Sequence, residues 1–324
     1  MTHHKLADVS ALTGRVLDQV ERAVVGKRPA LSLVLSSILS RGHVLLEDFP
    51  GLGKTLAARS FAQTLGIEFR RAQFTPDLLP GDLTGSFIYD QRTAEFVFRK
   101  GPLFTAMLLA DEINRTPPKT QAALLEAMQE GQITVEGETF VLARPFLVLA
   151  TANPVEYEGT YPLPEAQLDR FLMRVSFGYP TAAEESDVLR RRIARRQEEQ
   201  TLDAVTDAAT VVSMQDAVET VTVEESITEY CVSLASATRA HAHTLVGSSP
   251  RGSLALMLTS RAFALIDGRD YVTPEDVKAV APAVLAHRIT VRPELWMSSV
   301  SGASVVADVL QTVPTPAVGE LARA

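Results

Sequence analysis

The sequence predicts an α/β protein with a parallel sheet, followed by a small all-α domain. First, a short apolar run at residues 43–47 is followed by a glycine-rich turn and then by a helical pattern at residues 56–65. Second, further apolar runs ending at Ala110 and Thr151 alternate with helical patterns, which is typical of parallel strand pairing. Third, helical patterns dominate after residue 180, where we therefore place a domain boundary.

The element pattern divides the chain into three parts. Residues 1–180 form the predicted α/β core, and residues 181–312 form the predicted helical domain. Residues 313–324 contain two prolines and a glycine and are predicted to be a disordered tail. Within the core, apolar β patterns flank polar turns at about residues 85–99 and 131–144, which predicts two β-hairpin inserts.

The composition of the chain argues against a membrane-spanning protein, a secreted protein and a nonspecific nucleic-acid-binding protein. No apolar run approaches the ~18–20 residues that cross a bilayer, and the N-terminal segment lacks a secretion pattern. The single cysteine, Cys231, cannot form an internal disulfide, which favours a reducing cytoplasm. The net charge of −8 disfavours nonspecific binding to nucleic acid. We interpret the arginine-rich run at residues 190–196 as the solvated face of a helix, with a nucleic-acid contact as the alternative.

The glycine-rich turn has the composition of a phosphate-binding loop. Its glycines allow backbone N–H groups to surround a phosphate, and the following helix directs its positive end at the same oxygens. The Lys54 ammonium would reach the β- and γ-phosphates of ATP, and the Thr55 hydroxyl would bind Mg²⁺. The usual pattern has glycine where Asp48 stands, so the prediction depends also on the flanking strand and helix. The predicted nucleotide-binding residues of this segment are Asp48, Pro50, Gly51, Leu52, Gly53, Lys54, Thr55 and Leu56.

Two further strand ends carry polar side chains. The apolar run at residues 107–110 ends in Asp111 and Glu112, which predicts that Asp111 holds Mg²⁺ and that Glu112 polarises the attacking water. The alternative for such a pair is a solvated strand end. Asn153 follows another core strand, where it could hydrogen-bond the γ-phosphate or the water, although Asn before Pro is also ordinary turn chemistry.

These motifs, with two others, closely resemble the MoxR family of AAA+ ATPases over about residues 10 to 290. The resemblance implies an AAA+ P-loop core with a five-stranded sheet, a helical lid and a homo-oligomeric ring of six subunits. It also implies that the two hairpins are the inserts that such ATPases carry. The motifs are Gly51-Leu52-Gly53-Lys54-Thr55, Leu109-Ala110-Asp111-Glu112-Ile113-Asn114-Arg115, Pro117-Pro118-Lys119-Thr120-Gln121, Thr151-Ala152-Asn153-Pro154 and Gly159-Thr160-Tyr161-Pro162-Leu163-Pro164-Glu165-Ala166-Gln167-Leu168-Asp169-Arg170-Phe171.

The resemblance also assigns roles to residues outside the phosphate loop. Arg170 matches the arginine finger, which would reach the γ-phosphate of a neighbouring subunit. Arg251 matches the sensor-2 arginine of the lid, and Val25-Gly26 matches the segment that packs on adenine. His287 lies in a recurring family segment, but the sequence gives it no physical role.

The family implies a chaperone-like remodeller that assembles, matures or activates protein complexes. It also implies partners with von Willebrand factor A domains, together with an unidentified protein client. Two alternatives stay open: a nucleic-acid-dependent motor of the same clade, and a nucleotide switch with negligible turnover. The acidic residues at both predicted hairpin tips argue against the motor, and Glu112 and Arg170 argue against the switch.

Overall fold

The structure, a computed structural model, describes residues 6–154, 159–197 and 200–317. Its centre is a five-stranded parallel sheet in the order β2-β5-β8-β1-β9, which confirms the predicted fold class. The strands are β1 (Val44–Glu47), β2 (Phe69–Gln73), β3 (Gly85–Asp90), β4 (Glu95–Lys100), β5 (Met107–Asp111), β6 (Gln132–Val135), β7 (Glu138–Val141), β8 (Leu147–Ala152), β9 (Met173–Val175), β10 (Thr244–Val246) and β11 (Thr290–Val291). The helices are α1 (Leu6–Glu21), α2 (Arg28–Leu39), α3 (Lys54–Leu65), α4 (Pro80–Thr84), α5 (Pro118–Glu130), α6 (Glu165–Leu168), α7 (Ala182–Arg195), α8 (Ala208–Val218), α9 (Glu225–Ala240), α10 (Pro250–Ile266), α11 (Pro274–Leu285) and α12 (Gly302–Thr312).

The central strands are buried on both faces, which is why they read as continuous apolar runs. Successive side chains point to opposite faces of a strand. On β5, Met107 and Leu109 therefore join one apolar cluster, whereas Leu108 and Ala110 join another. The first cluster continues without a break into α1, α2 and the helices after residue 180, so the sheet and the helical lid share one core.

The two hairpins are antiparallel pairs, β3 with β4 and β6 with β7, at the two segments where the sequence predicts them. They contact each other through Phe98 and Phe140, whose rings stack with centroids 4.2 Å apart. Towards the free end of the first hairpin, Tyr89 and Phe96 pair at 5.4 Å and stay half-exposed or more. The hairpins are thus joined to each other, and the first one carries exposed aromatic side chains beside its polar turn.

After β9 the chain forms the lid, which is helical apart from one feature that the sequence did not predict. β10 and β11 form a short antiparallel pair. These strands hold only three and two residues, too few to give a detectable period of two. Of the predicted tail, residues 313–317 contain no helix or strand, and residues 318–324 lie outside the described residues. No helix in the described part of the chain is both long and apolar enough to span a bilayer.

Candidate nucleotide-binding site

The glycine-rich turn joins the carboxyl end of β1 to α3. Gly51 and Gly53 have φ of 79° and 83°, a left-handed conformation that glycine adopts without strain. Gly53 is the N-cap of α3, and no side chain caps that helix end. By contrast, Ser249 and Thr273 cap α10 and α11 with their hydroxyl groups. The first amides of α3 therefore remain available to an anion.

Lys54 begins α3, and its ammonium group is surrounded by carbonyl oxygens. Its Nζ donates to the carbonyl of Asp48 and lies 3.4 Å from the carbonyl oxygens of Phe49 and Ala152. Burial lowers the pKa of Lys54, and the nearby carboxylates, chiefly those of Asp48 and Asp111, oppose that shift. A phosphate would be a stronger partner for this ammonium than neutral carbonyls are.

The side chain of Asp48 contacts the segment that follows β9. Its carboxylate accepts hydrogen bonds from Ser176 Oγ at 2.7 Å, from the backbone amide of Phe177 and, at 3.3 Å, from the amide of Gly178. Asp48 is 5% exposed. In this chain the first position of the loop therefore holds a buried carboxylate with three donors where the usual pattern has glycine.

The two other predicted strand ends lie beside the loop. The register places β8 between β1 and β5, and Thr151 Oγ1 donates to Asp111 Oδ1 at 2.6 Å. The same hydroxyl accepts from the amide of Glu112 at 2.8 Å. Glu112 has φ of 59°, uncommon for a residue other than glycine, and Thr151 holds it in this conformation. Buried Asn153 accepts at its carbonyl from Asn114 Nδ2 at 3.3 Å.

The carboxylates of Asp111 and Glu112 already have cationic and polar partners on the chain. Arg71 Nη2 and Nε lie 2.6 and 2.9 Å from Asp111 Oδ2. Glu112 Oε2 accepts from Gln73 Nε2 at 2.7 Å and from Arg115 Nη1 at 3.0 Å. Arg71 and Gln73 lie on the edge strand β2, so this strand faces the predicted catalytic carboxylates.

A cleft of about 450 Å³ opens beside α3, and Val25, Leu56, apolar residues of α7 and five arginine side chains line it. Gly26 borders this region with φ of 72°, and a Cβ there would lie 2.1 Å from Glu184 Oε1. The backbone angle favours glycine at position 26, and a larger residue would also have to displace the Glu184 side chain. The predicted adenine segment thus lies next to the first turn of α3.

Arg170 and Arg251 lie on the opposite side of the sheet, where the parallel strands begin. The amide of Leu172 donates to the carbonyl of His43, which precedes β1, whereas the phosphate loop follows the last residue of β1. At about 3.3 Å per residue, the five steps from His43 to Asp48 separate the two ends of β1 by roughly 16 Å. Arg170 and Arg251 share a second cleft there, of about 420 Å³, and that cleft contains no phosphate-loop residue.

Comparison with known proteins decides the family. Residues 43–173 match the ATPase family associated with various cellular activities (AAA), and residues 236–309 match the AAA lid domain. The chain is 42% identical over 314 residues to the chaperone MoxR1 of Mycobacterium tuberculosis, a match that covers 94% of this chain and 82% of that protein. It is 31% identical to the protein MoxR of Methylorubrum extorquens, covering 96% and 97% of the two chains. The chain belongs to the MoxR family of AAA+ ATPases.

Two further proteins match along nearly the whole chain. The uncharacterized protein YeaC of Bacillus subtilis is 48% identical over 309 residues, covering 95% of this chain and 96% of its own. A crystal structure from Cytophaga hutchinsonii, described as a "putative ATPase", superposes with a TM-score of 0.89 at 40% identity, covering 96% and 97% of the two chains. Membership of the AAA family implies that the chain binds nucleotide.

Within this MoxR-family chain, the structure divides the predicted site residues into two groups. The phosphate loop, Asp111, Glu112 and Asn153 meet at the carboxyl edge of the sheet, with Val25 and Gly26 beside α3. Arg170 and Arg251 form the second group at the opposite edge. Sequence reasoning missed Arg71 and Gln73, and it included Arg115 in a family motif without giving it a role. No strand is predicted from the sequence at residues 69–73, so no signal pointed to Arg71 or Gln73.

Proposed function

We propose that this chain binds ATP with Mg²⁺ and hydrolyses it at a site completed by a neighbouring copy of the chain. The residues at the carboxyl edge of the sheet fit both ligands. The uncapped amides of α3 and the Lys54 ammonium suit a polyphosphate. The Thr55 hydroxyl and the Asp111 carboxylate are the hard oxygen ligands that Mg²⁺ prefers. When bound there, Mg²⁺ would neutralise the charge on the transferred phosphoryl group.

The residues of the chain have distinct tasks in this proposal. Lys54 moves from the carbonyls of the loop to the phosphate oxygens, which bind its ammonium more strongly. Glu112 accepts the proton of the attacking water, and Asn153 orients that water or the terminal phosphate. Val25 and Leu56 enclose the base in the cleft beside α3, and Gly26 follows Val25 in the chain.

The observation that carries the proposal is the position of Arg170. This arginine lies at the edge of the sheet opposite its own phosphate loop. Its guanidinium makes no hydrogen bond or ion pair within the described residues. A cationic side chain that has no partner in the described part of its own chain suits the phosphate of an adjacent subunit, as expected for an arginine finger. This supports a closed homo-oligomeric ring, and the family resemblance favours six subunits.

We propose further that hydrolysis drives a chaperone-like activity on protein complexes, as the name of the relative MoxR1 suggests for that protein. The outer end of the first hairpin supports a protein client, because Tyr89, Phe96 and Val97 are each at least half-exposed there. The family resemblance favours a partner with a von Willebrand factor A domain, and the single cysteine favours a cytoplasmic location.

The nucleic-acid motor is the weaker candidate. The one basic residue in the first hairpin turn, Arg92, lies 3.5 Å from Asp90, and Glu95 follows. The second hairpin carries Glu136 and Glu138 at its turn. Such acidic tips would repel a phosphate backbone. DNA or RNA that stimulates hydrolysis several-fold would reverse this preference.

Mixed rings test the proposal directly. Arg170→Ala and Lys54→Ala chains should each be inactive alone, because one lacks the finger and the other lacks the phosphate-loop cation. Mixed before ATP is added, they should regain a measurable fraction of wild-type hydrolysis, since some interfaces then combine an intact loop with an intact finger. Absence of recovery in rings proven to contain both chains would contradict a site shared between subunits.

A further inference from the structure

The lid holds the segment around Arg170 through a buried arginine. The Arg288 side chain is 2% exposed, and its Nε donates to Asp169 Oδ1 at 2.8 Å. Its other nitrogens donate to the carbonyls of Phe171 at 2.8 Å, Leu172 at 3.2 Å and Val284. Arg288 thus bonds to the two residues that flank Arg170, Asp169 and Phe171, and its bond to Val284 anchors it to the end of α11.

Asp169 collects further contacts from the lid. Its second carboxylate oxygen lies 3.4 Å from Ser249 Oγ and 3.7 Å from Arg251 Nη1, at the start of α10. His287, next to Arg288, contacts the carbonyl of Phe171 through Nε2 at 3.1 Å. Two separate lid elements therefore converge on the residues that directly flank Arg170.

We propose that Asp169 and Arg288 form a positioning pair through which the lid of one subunit sets the placement of the arginine finger Arg170. Arg170 itself has no side-chain partner among the described residues, so the backbone on either side of it determines where its guanidinium lies. A shift of α10 or α11 would move Asp169 and Phe171 together. The lid of one subunit would thereby control hydrolysis at the site of its neighbour.

The chemistry of the Asp169–Arg288 pair suits a role in positioning Arg170 better than a role in stabilising the fold. A buried arginine–carboxylate pair gains little net stability over apolar residues, because desolvation offsets most of the attraction. The planar guanidinium of Arg288, however, holds the Asp169 carboxylate and the carbonyls of Phe171 and Leu172 in a defined arrangement. The pair also joins two different parts of the chain, because Arg288 belongs to the lid and Asp169 to the segment that carries Arg170.

The inference rests on the proposed function, and mixed rings separate the two. Asp169→Asn removes the charge that Arg288 and Arg251 share while it keeps the shape of the side chain. We expect ATP affinity within about twofold of wild type, and kcat lowered on the order of 100-fold, as for a reactive group displaced by about 1 Å. Mixing with Lys54→Ala should restore hydrolysis, and mixing with Arg170→Ala should not, because both variants then lack a working finger.

Two control variants help to interpret each outcome. Glu219→Gln removes the partner of Arg261 in another lid ion pair, 2.8 Å long, and should leave kcat unchanged. Asp169→Glu retains the charge and should keep more activity than Asp169→Asn. If Asp169→Asn does not fold, the same mixing test is applied to Asp169→Glu, whose reduced kcat should also recover with Lys54→Ala.

The possible results are distinguishable. If Arg170→Ala with Lys54→Ala regains activity but Asp169→Asn with Lys54→Ala does not, the positioning role is overturned and the shared site stands. Wild-type kcat in Asp169→Asn would overturn it as well. If neither mixture recovers, the proposed shared site fails first.

Discussion

The carboxylate of Asp48 accepts a hydrogen bond from the backbone amide of Phe177, which joins the first residue of the phosphate loop to the chain that follows β9. Ser176 and Gly178 add two more donors to the same carboxylate. The carbonyl of Asp48 meanwhile receives the ammonium of Lys54. If Lys54 moved towards a phosphate, it would release the carbonyl of Asp48. The carboxylate of the same residue would stay bonded to the segment that leads from β9 to the lid.

Asp48→Asn should destabilise the protein and weaken ATP binding. The amide group of asparagine would face a backbone N–H, so at least one charge-assisted hydrogen bond is lost. Because such bonds contribute ~1.5–3 kcal/mol each, we expect the free energy of unfolding to fall by about 2–4 kcal/mol. Urea denaturation measures this change, and Asp203→Asn, at a side chain that is 91% exposed, is the control. Equal stability of the two variants would contradict a structural role for the Asp48 carboxylate.

Lys54 and Glu112 should separate binding from turnover. Lys54→Ala removes the cation of the phosphate loop, so equilibrium titration should detect no ATP binding at concentrations that saturate the wild type.

Glu112→Gln keeps a hydrogen-bonding side chain but cannot accept a proton, so ATP should bind while kcat falls ~10²–10⁴-fold. Wild-type turnover in Glu112→Gln would remove Glu112 from catalysis. The same variant, loaded with ATP, is the reagent with which to capture the client by affinity pull-down.

The parts of the site that sequence could predict are those with a local pattern. The phosphate loop is a strand, a glycine turn and a helix in succession, and Asp111, Glu112 and Asn153 each end an apolar strand. Parallel strands bring their carboxyl ends to one edge, so local patterns were enough to place these residues together.

The remaining contacts join residues far apart in the chain. Arg71 meets Asp111 across 40 residues, and Arg288 meets Asp169 across 119. No helical or strand period links such residues, so only the folded chain shows them. One signal was present for Arg288: with His287 it interrupts an apolar helical stretch, where buried polar groups require partners. The structure gives His287 the contact with Phe171 that the sequence could not supply.

Arg71 should compete with Mg²⁺ for Asp111. The guanidinium binds the carboxylate through two nitrogens, and the pair is partly exposed, which limits its strength to ~1 kcal/mol or less. Arg71→Gln should therefore lower the Mg²⁺ concentration that gives half-maximal hydrolysis by up to about fivefold. Arg70→Gln is the matched control, because Arg70 is the preceding residue of β2 and contacts Glu68 instead. A raised or unchanged Mg²⁺ requirement in Arg71→Gln would show that Arg71 does not compete.

His43 should make the protein acid-sensitive below neutral pH. Burial lowers the pKa of His43 from 6.5 to about 4. Its Nε2 lies 3.1 Å from the carbonyl of Met128, and its Nδ1 accepts from the amide of Val148 at 3.0 Å, so a second ring proton would face a donor. Between pH 6.5 and 4 the unfolded chain therefore binds more protons than the folded one. Stability is complete above pH 6.5 and falls as the pH decreases, by about 3 kcal/mol in total.

Urea denaturation at pH 7.5 and pH 4.5 checks the contribution of His43. In His43→Gln, the loss of unfolding free energy between these pH values should be smaller than in the wild type by most of that ~3 kcal/mol. His287, whose pKa burial also lowers, is retained in the variant and accounts for part of the remaining loss. Met128→Ala removes a neighbouring buried side chain that does not titrate, so it should lower stability equally at both pH values. If His43→Gln keeps the full acid sensitivity, the buried neutral imidazole is not its source.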